Sequence, residues 1–146
     1  MKLITEEVSQ VKFITEGKGK TKRLCIEGVF LQGGIKNRNG RMYPVDILEK
    51  ECNRYNKTFI SQGRALGELG HPEGPTVNLD RVSHKITSLV REGNNFRGKA
   101  TLLSTPMGKI ATSLLDEGVK LGVSSRGIGS LRESSNGCKM VGEDFQ

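Results

Sequence analysis

The sequence predicts an α+β domain in which two helices punctuate a set of mostly antiparallel strands. Three observations predict it. Nineteen glycines divide the apolar residues into short runs, the pattern of short strands with tight connections. Residues 82–91 alternate and lead into Glu92-Gly93-Asn94-Asn95, a hairpin signal. Pro44 and Pro106 each precede apolar residues at helical spacing, and proline suits a first helical turn because the N–H it lacks would be unpaired there.

The elements follow in order. Leu24 to Leu31 reads as a strand, with Leu24, Ile26 and Phe30 alternating, and Gly33-Gly34 breaks it. Asn37-Arg38-Asn39-Gly40-Arg41 is a turn-rich loop. From Pro44, the spacing of Val45, Leu48, Cys52 and Tyr55 predicts a helix to about Tyr55. Ala65 to Leu69 is a short extended piece ended by Gly70-His71-Pro72. In 82–91, Val82, His84, Ile86 and Val90 share one face, and Ser83, Lys85 and Arg91 the other. Phe96, Gly98, Ala100 and Leu102 lie on the returning strand. Pro106 opens a second helix with Ile110, Leu114 and Leu115 as its apolar stripe and Gly118 as its C-cap. Leu121 to Leu131 is a Gly/Ser-rich strand, and Asn136-Gly137 turns the chain into Cys138 to Val141. The chain stops at Gln146 just past this hairpin, so a partial chain is expected: a flexible or removable segment 1–23, then a domain 24–146 lacking its C-terminal part.

Composition sets bounds on function. A length of 146 residues and 34% apolar content suit one domain. The longest apolar run is a few residues, whereas a membrane span needs roughly 20, and no charged n-region followed by an apolar h-region opens the chain, so a secretory signal is not expected. Cys25, Cys52 and Cys138 form no CxxC pair, which argues against a disulfide framework or a zinc ribbon and for small core residues in a reducing compartment. The net charge of +7 admits an acidic protein surface or nucleic acid as partner. The densest basic run, Lys18, Lys20, Lys22 and Arg23, carries no aromatic on which bases would stack, so nucleic acid is disfavoured. Gly19-Lys20-Thr21 resembles the tail of a phosphate loop, but Ile14 stands where the loop needs glycine.

Three segments could carry chemistry. His71 ends an extended piece, and Pro72 biases it towards extended backbone; it is either an imidazole presented to a cleft or a solvated loop histidine. His84 is either a satisfied core histidine or an orienting partner. Ser124-Ser125-Arg126-Gly127 is small, polar and glycine-flanked, where a chain can approach closely; it is a polar sheet edge or a nucleophile with His71 as base and N–H donors near Arg126 and Gly127. The residues flanking Ser124 at two positions are Gly122 and Arg126, so the nucleophile elbow GxSxG is absent. No HxH or HxxxH spacing supports a metal, and no cofactor is expected.

Four segments, taken in order, resemble the prohead core proteases of T-even-type tailed phages: Ile26-Glu27-Gly28-Val29-Phe30, Asn37 to Pro44, Gly67-Glu68-Leu69-Gly70-His71-Pro72, and Gly122 to Ser130. The resemblance runs from about Ile26 to Phe145. It implies a small, mostly antiparallel β-barrel with flanking helices, like herpesvirus assemblin. It implies a serine endopeptidase that cleaves scaffold, core and capsid proteins, and itself, after Glu inside the prohead during capsid maturation. By that resemblance His71 is the general base, Ser124 the nucleophile with Ser125 as the competing assignment, and Arg126 and Gly127 the oxyanion donors. His84 or Asp80 would orient His71. The third catalytic residue is expected beyond Gln146, Asp144 being too near the last hairpin. The implied partners are the prohead scaffold and major capsid proteins and other copies of the chain in the core, with no membrane, in a prohead assembled in the host cytoplasm. The alternatives are an inactive core or scaffold-binding protein and, behind it, a basic nucleic-acid-binding module.

Overall fold

In the computed structural model, residues 2–8, 11–17, 23–70, 73–134 and 137–146 are described, 7 and 8 by backbone alone. Lys18 to Lys22, His71, Pro72 and Asn136 therefore lie outside the described residues. The strands are β1 (Lys2–Val8), β2 (Lys12–Glu16), β3 (Arg23–Gln32), β4 (Arg41–Met42), β5 (Leu66–Glu68), β6 (Val82–Glu92), β7 (Asn95–Leu102), β8 (Val123–Gly129), β9 (Leu131–Glu133) and β10 (Lys139–Val141). The helices are α1 (Val45–Tyr55), which runs on into a π-helical turn at Asn56–Ile60, and α2 (Pro106–Asp116). Among the described residues no helix is long and apolar enough to cross a membrane.

The α+β class holds, but the expected closed barrel does not. The described strands form an antiparallel five-stranded sheet in the order β2-β3-β7-β6-β5, a three-stranded sheet β4-β10-β9, and an antiparallel pair β1-β8. A barrel needs an unbroken ladder around its circumference. Here the large sheet ends in β2 on one side and in the three-residue β5 on the other, and those two edges do not pair. Within the segment 1–23, Lys2–Val8 and Lys12–Glu16 are strands paired to β8 and β3, and Ile4 is buried.

The central hairpin forms where the pattern places it, with Glu92 opposite Asn95 and Gly93 at φ +66°, a left-handed conformation that glycine adopts without strain. The facing pattern differs. A bulge between Ile86 and Ser88 shifts the register, so Leu89 is buried and Val90, expected on the same face as Val82, is exposed. A second bulge, between Val29 and Leu31, lets the Phe30 ring lie on Gly98, where a Cβ would come within 2.0 Å of the ring.

The core joins β3, β6 and β7 to α1 through Phe30, Leu48, Cys52, Leu89, Phe96 and Ala100. Burying Phe96 or Leu48 completely contributes roughly 2–3 kcal/mol each. Tyr43 and Phe145 meet edge to face at 5.2 Å and extend that core towards β8. All three cysteines are buried and unpaired. The second helix starts as expected, with Thr105 accepting the Gly108 N–H at 3.0 Å, and ends before Gly118 at φ +83°. Its apolar stripe is turned. Gly108 and Ala111 face the sheet because the helix backbone approaches Leu103 too closely for a larger residue, which leaves Ile110 and Leu114 exposed. The predicted strand from Leu121 to Leu131 is interrupted at Ser130, whose N–H and hydroxyl both donate to Asp144 Oδ1, at 3.0 and 2.8 Å.

Candidate active site

Strand β8 carries the Ser124-Ser125-Arg126-Gly127 segment and pairs on one side with β1, Glu7 opposite Ser124 and Glu6 opposite Ser125. Ile128 exchanges both its backbone bonds with Gln146, at 2.9 Å each, so its polar groups face away from β1. Backbone direction alternates along a strand. The N–H groups of Ser124 and Arg126 therefore also face away from β1, and that of Gly127 faces towards it, opposite Ile4.

Side chains alternate as well. Ser124 and Arg126 share one face of β8; Ser125 and Gly127 share the other. Gly127 is required on its face, because a Cβ there would lie 2.6 Å from the Phe145 ring and from the Gln146 carbonyl. Ser125 faces a cavity of about 320 Å³ lined also by Glu6, Phe30, Asn37 and Tyr43. Burial, then the nearby Glu6 carboxylate, raises the Tyr43 phenol above its ordinary range.

On the opposite face, Arg126 bridges to the segment that contains the first histidine. Its Nη2 donates to Glu68 Oε1 at 2.6 Å and to the Thr76 carbonyl at 3.3 Å. Glu68 also accepts from Asn78 Nδ2 at 3.1 Å. Burial alone would raise the Glu68 carboxyl; the hydrogen bonds from Arg126 and Asn78 outweigh it and hold the carboxyl below its ordinary range. Glu68 and Thr76 flank His71 in the chain, so one guanidinium on the Ser124 face is bonded on both sides of that histidine. His71 itself lies outside the described residues.

His84 lies one strand further back, on β6. Its ring covers Gly67, where an added Cβ would come within 2.0 Å of Nε2, and its Nδ1 is 2.8 Å from the Ser83 hydroxyl. Burial depresses its pKa to about 4, which keeps the imidazole neutral at physiological pH. Asp80 is exposed in the 3-10 turn before β6, and Asp144 is engaged by Ser130.

The structure thus bonds the Ser124 strand to Glu68 and Thr76 through Arg126 and leaves Asp144 occupied elsewhere. Two clusters escaped the sequence reading: the Glu68–Arg126 pair and the contacts of Glu6 with Asn37, Asn39 and Arg41. Each resides in or beside a glycine-rich motif. Neither has a spacing that would reveal it, because the partners are brought together only by the sheets.

Three comparisons bear on this site. The family model described as prohead core protein serine protease matches residues 5–146. The prohead core protein protease of Enterobacteria phage T4 is 36% identical over 126 residues, 84% of this chain and 59% of the relative. The chain therefore spans about three fifths of the length of that relative. The solved structure of the bacteriophage T4 capsid assembly protease, gp21, superposes with a TM-score of 0.92 at 33% identity, covering 99% of this chain and 92% of that one. With nearly its whole length matched, the chain belongs to the family of prohead core protein serine proteases.

Proposed function

We propose that the chain is a serine endopeptidase that acts inside the phage prohead on core, scaffold and capsid proteins. Ser124 is the nucleophile and His71 the general base. The observation that carries this is the position of Arg126. It shares a face with Ser124 and bonds to Glu68 and Thr76, the residues that flank the His71 segment. The same alternation favours Ser124 over Ser125, which faces the Tyr43 cavity instead.

In the proposed reaction the Ser124 hydroxyl gives its proton to His71 as Oγ bonds to the scissile carbonyl carbon. The oxyanion accepts from the backbone N–H of Arg126, the member of the expected donor pair that faces away from β1. His71 then returns the proton to the leaving amine as the C–N bond breaks. Water, deprotonated by His71, releases the acyl group and restores Ser124. His84, neutral and stacked on Gly67, supports the strand that leads to His71 and is proposed as a positioning residue. The order histidine then serine is the one expected of the assemblin arrangement. Cleavage after glutamate and self-association within the core complete the proposal.

Co-expression of the complete gene product with its scaffold protein, read by intact-mass spectrometry, tests it. Cleavage after Glu is expected for the wild type and for Ser125→Ala, and is expected to vanish with Ser124→Ala and with His71→Ala. Loss with Ser125→Ala alone moves the nucleophile by one residue. Undiminished cleavage in every variant overturns the mechanism. Intact scaffold with the wild type in assembled heads favours the inactive core protein.

A further inference from the structure

We propose that Arg81 is a positioning residue for the general base: its guanidinium completes a strand rung at Leu69 and fixes the backbone from which the chain enters the His71 segment. This role rests on the protease reading above and lies outside the residues that touch substrate.

The rung is unusual. β5 and β6 pair Leu66 with Lys85, Gly67 with His84 and, past a bulge, Glu68 with Val82. The next pair in that register is Leu69 with Arg81. The Leu69 N–H donates to the Arg81 carbonyl at 3.2 Å, as one half of an antiparallel rung. The Arg81 N–H would make the other half. It donates instead to the Asn78 carbonyl at 3.0 Å and closes the 3-10 turn Leu79–Arg81. The side chain takes its place, with Arg81 Nη2 donating to the Leu69 carbonyl at 2.9 Å. The ladder is thereby carried one residue past β5.

Stability alone does not account for an arginine at this position. Arg81 Nε is buried with no hydrogen-bond partner among the described residues, and a buried donor left unpaired is a cost to folding. What the guanidinium achieves is placement. A Cβ at Gly70 would come within 3.2 Å of the same Nη2, and Gly70 takes φ +87°, a left-handed conformation open to glycine. Three successive residues are thus held by three different contacts. The His84 ring covers Gly67, Arg126 and Asn78 bond the Glu68 carboxylate, and Arg81 closes on Leu69. Arg126 reaches this stretch from the serine strand and Arg81 reaches it from the start of β6. His71 follows two residues after Leu69 in the chain. An error of backbone direction at Leu69 is passed on to that residue, and an ångström of misplacement at a reacting group costs about 10²-fold in rate.

The test separates turnover from binding and from folding. Initial rates of scaffold cleavage by the complete gene product are measured over a range of scaffold concentrations. The fraction of active sites is counted by intact mass after exhaustive reaction with a fluorophosphonate, which bonds covalently to an activated serine. Arg81→Met, which keeps the apolar stem and no donor, is expected to lower kcat per titrated site by about tenfold or more with KM unchanged. Arg81→Lys, a single donor on a stem of similar length, is expected to recover kcat to within about threefold of the wild type. An unchanged kcat per site in Arg81→Met overturns the role. A rise in KM alone overturns it too, since the arginine then binds substrate. A lower titrated fraction at unchanged kcat per site reduces Arg81 to a merely structural part and overturns it. If Arg81→Met does not fold, Arg81→Lys decides: a loss of about two- to threefold in kcat per site at unchanged KM supports the role, and no loss overturns it. A wild type that neither cleaves nor is labelled removes the protease reading and this role together. Cleavage that needs Ser124 and His71 but ignores Arg81 removes this role and leaves the protease.

Discussion

Arg126 and Glu68 meet at 2.6 Å across a gap between two separate sheets, the guanidinium 19% and the carboxylate 3% exposed. The pair is the clasp between β8 and the end of β5. A buried carboxylate deprived of its cation is costly, and so is misplacement of a reacting group by an ångström. Arg126→Ala is expected to lower scaffold cleavage by about 10²-fold with little change in secondary structure. Circular dichroism alongside the cleavage assay checks it.

The same clasp makes stability depend on acid. The Glu68 carboxyl is lower in the folded chain than in the unfolded one. Its contribution is therefore full above the ordinary carboxylate range and is lost as pH falls through the folded value. Urea unfolding between pH 7 and pH 3 is expected to show a steeper acid loss for the wild type than for Glu68→Gln.

His84 acts in the same direction at higher pH. Its folded pKa is about 4 against an ordinary 6.5, so the unfolded chain takes up the proton first. Stability from this group is complete above about 6.5 and declines towards pH 4, by up to about 3 kcal/mol. Chemical denaturation from pH 7.5 to 4 is expected to show that slope, and His84→Gln to remove it. An NMR titration of the ring gives the folded pKa directly.

Gly67 and Gly98 each lie under a ring, His84 and Phe30, with room for no Cβ. Gly67→Ala and Gly98→Ala are expected to destabilise by about 1–3 kcal/mol through overpacking. Gly93, at φ +66° with open space around it, tests backbone strain alone, and Gly93→Ala should cost about 1 kcal/mol. Thermal denaturation of the three variants separates the two causes.

Thr105 closes the N-terminus of α2 by accepting from Gly108 N and donates its own hydroxyl to the Val82 carbonyl. Thr105→Ala is expected to cost about 1 kcal/mol, and Thr105→Ser to recover most of it. Midpoints of urea unfolding decide the matter.

What was legible in the sequence was local. The two helices and the 82–102 hairpin follow from spacing, a proline at each helix start, and Gly93 in the turn. The bulges were not legible, because an extra residue at Val29/Leu31 or Ile86/Ser88 is fixed by packing across strands, and the second of them reversed the expected position of Val90. The stripe of α2 was misplaced because Gly108 and Ala111 look indifferent until a backbone approaches them. Of the candidate site, the segments around His71 and Ser124 stood out by composition. The contacts made by Glu6 and Glu68 did not, since charges that meet through tertiary folding leave no period in the chain.

The pairing of β1 with β8 also has a consequence for synthesis. Lys2 pairs with Gly129, and among the described residues the serine-bearing strand has no ladder partner but β1. Contacts between such distant parts of a chain form late, because the intervening loop must be closed first. On the ribosome, β1 emerges long before the strand holding Ser124 can dock on it. Assembly of this site is thus timed by translation itself, and a chain still being made carries β1 without the serine strand that pairs with it.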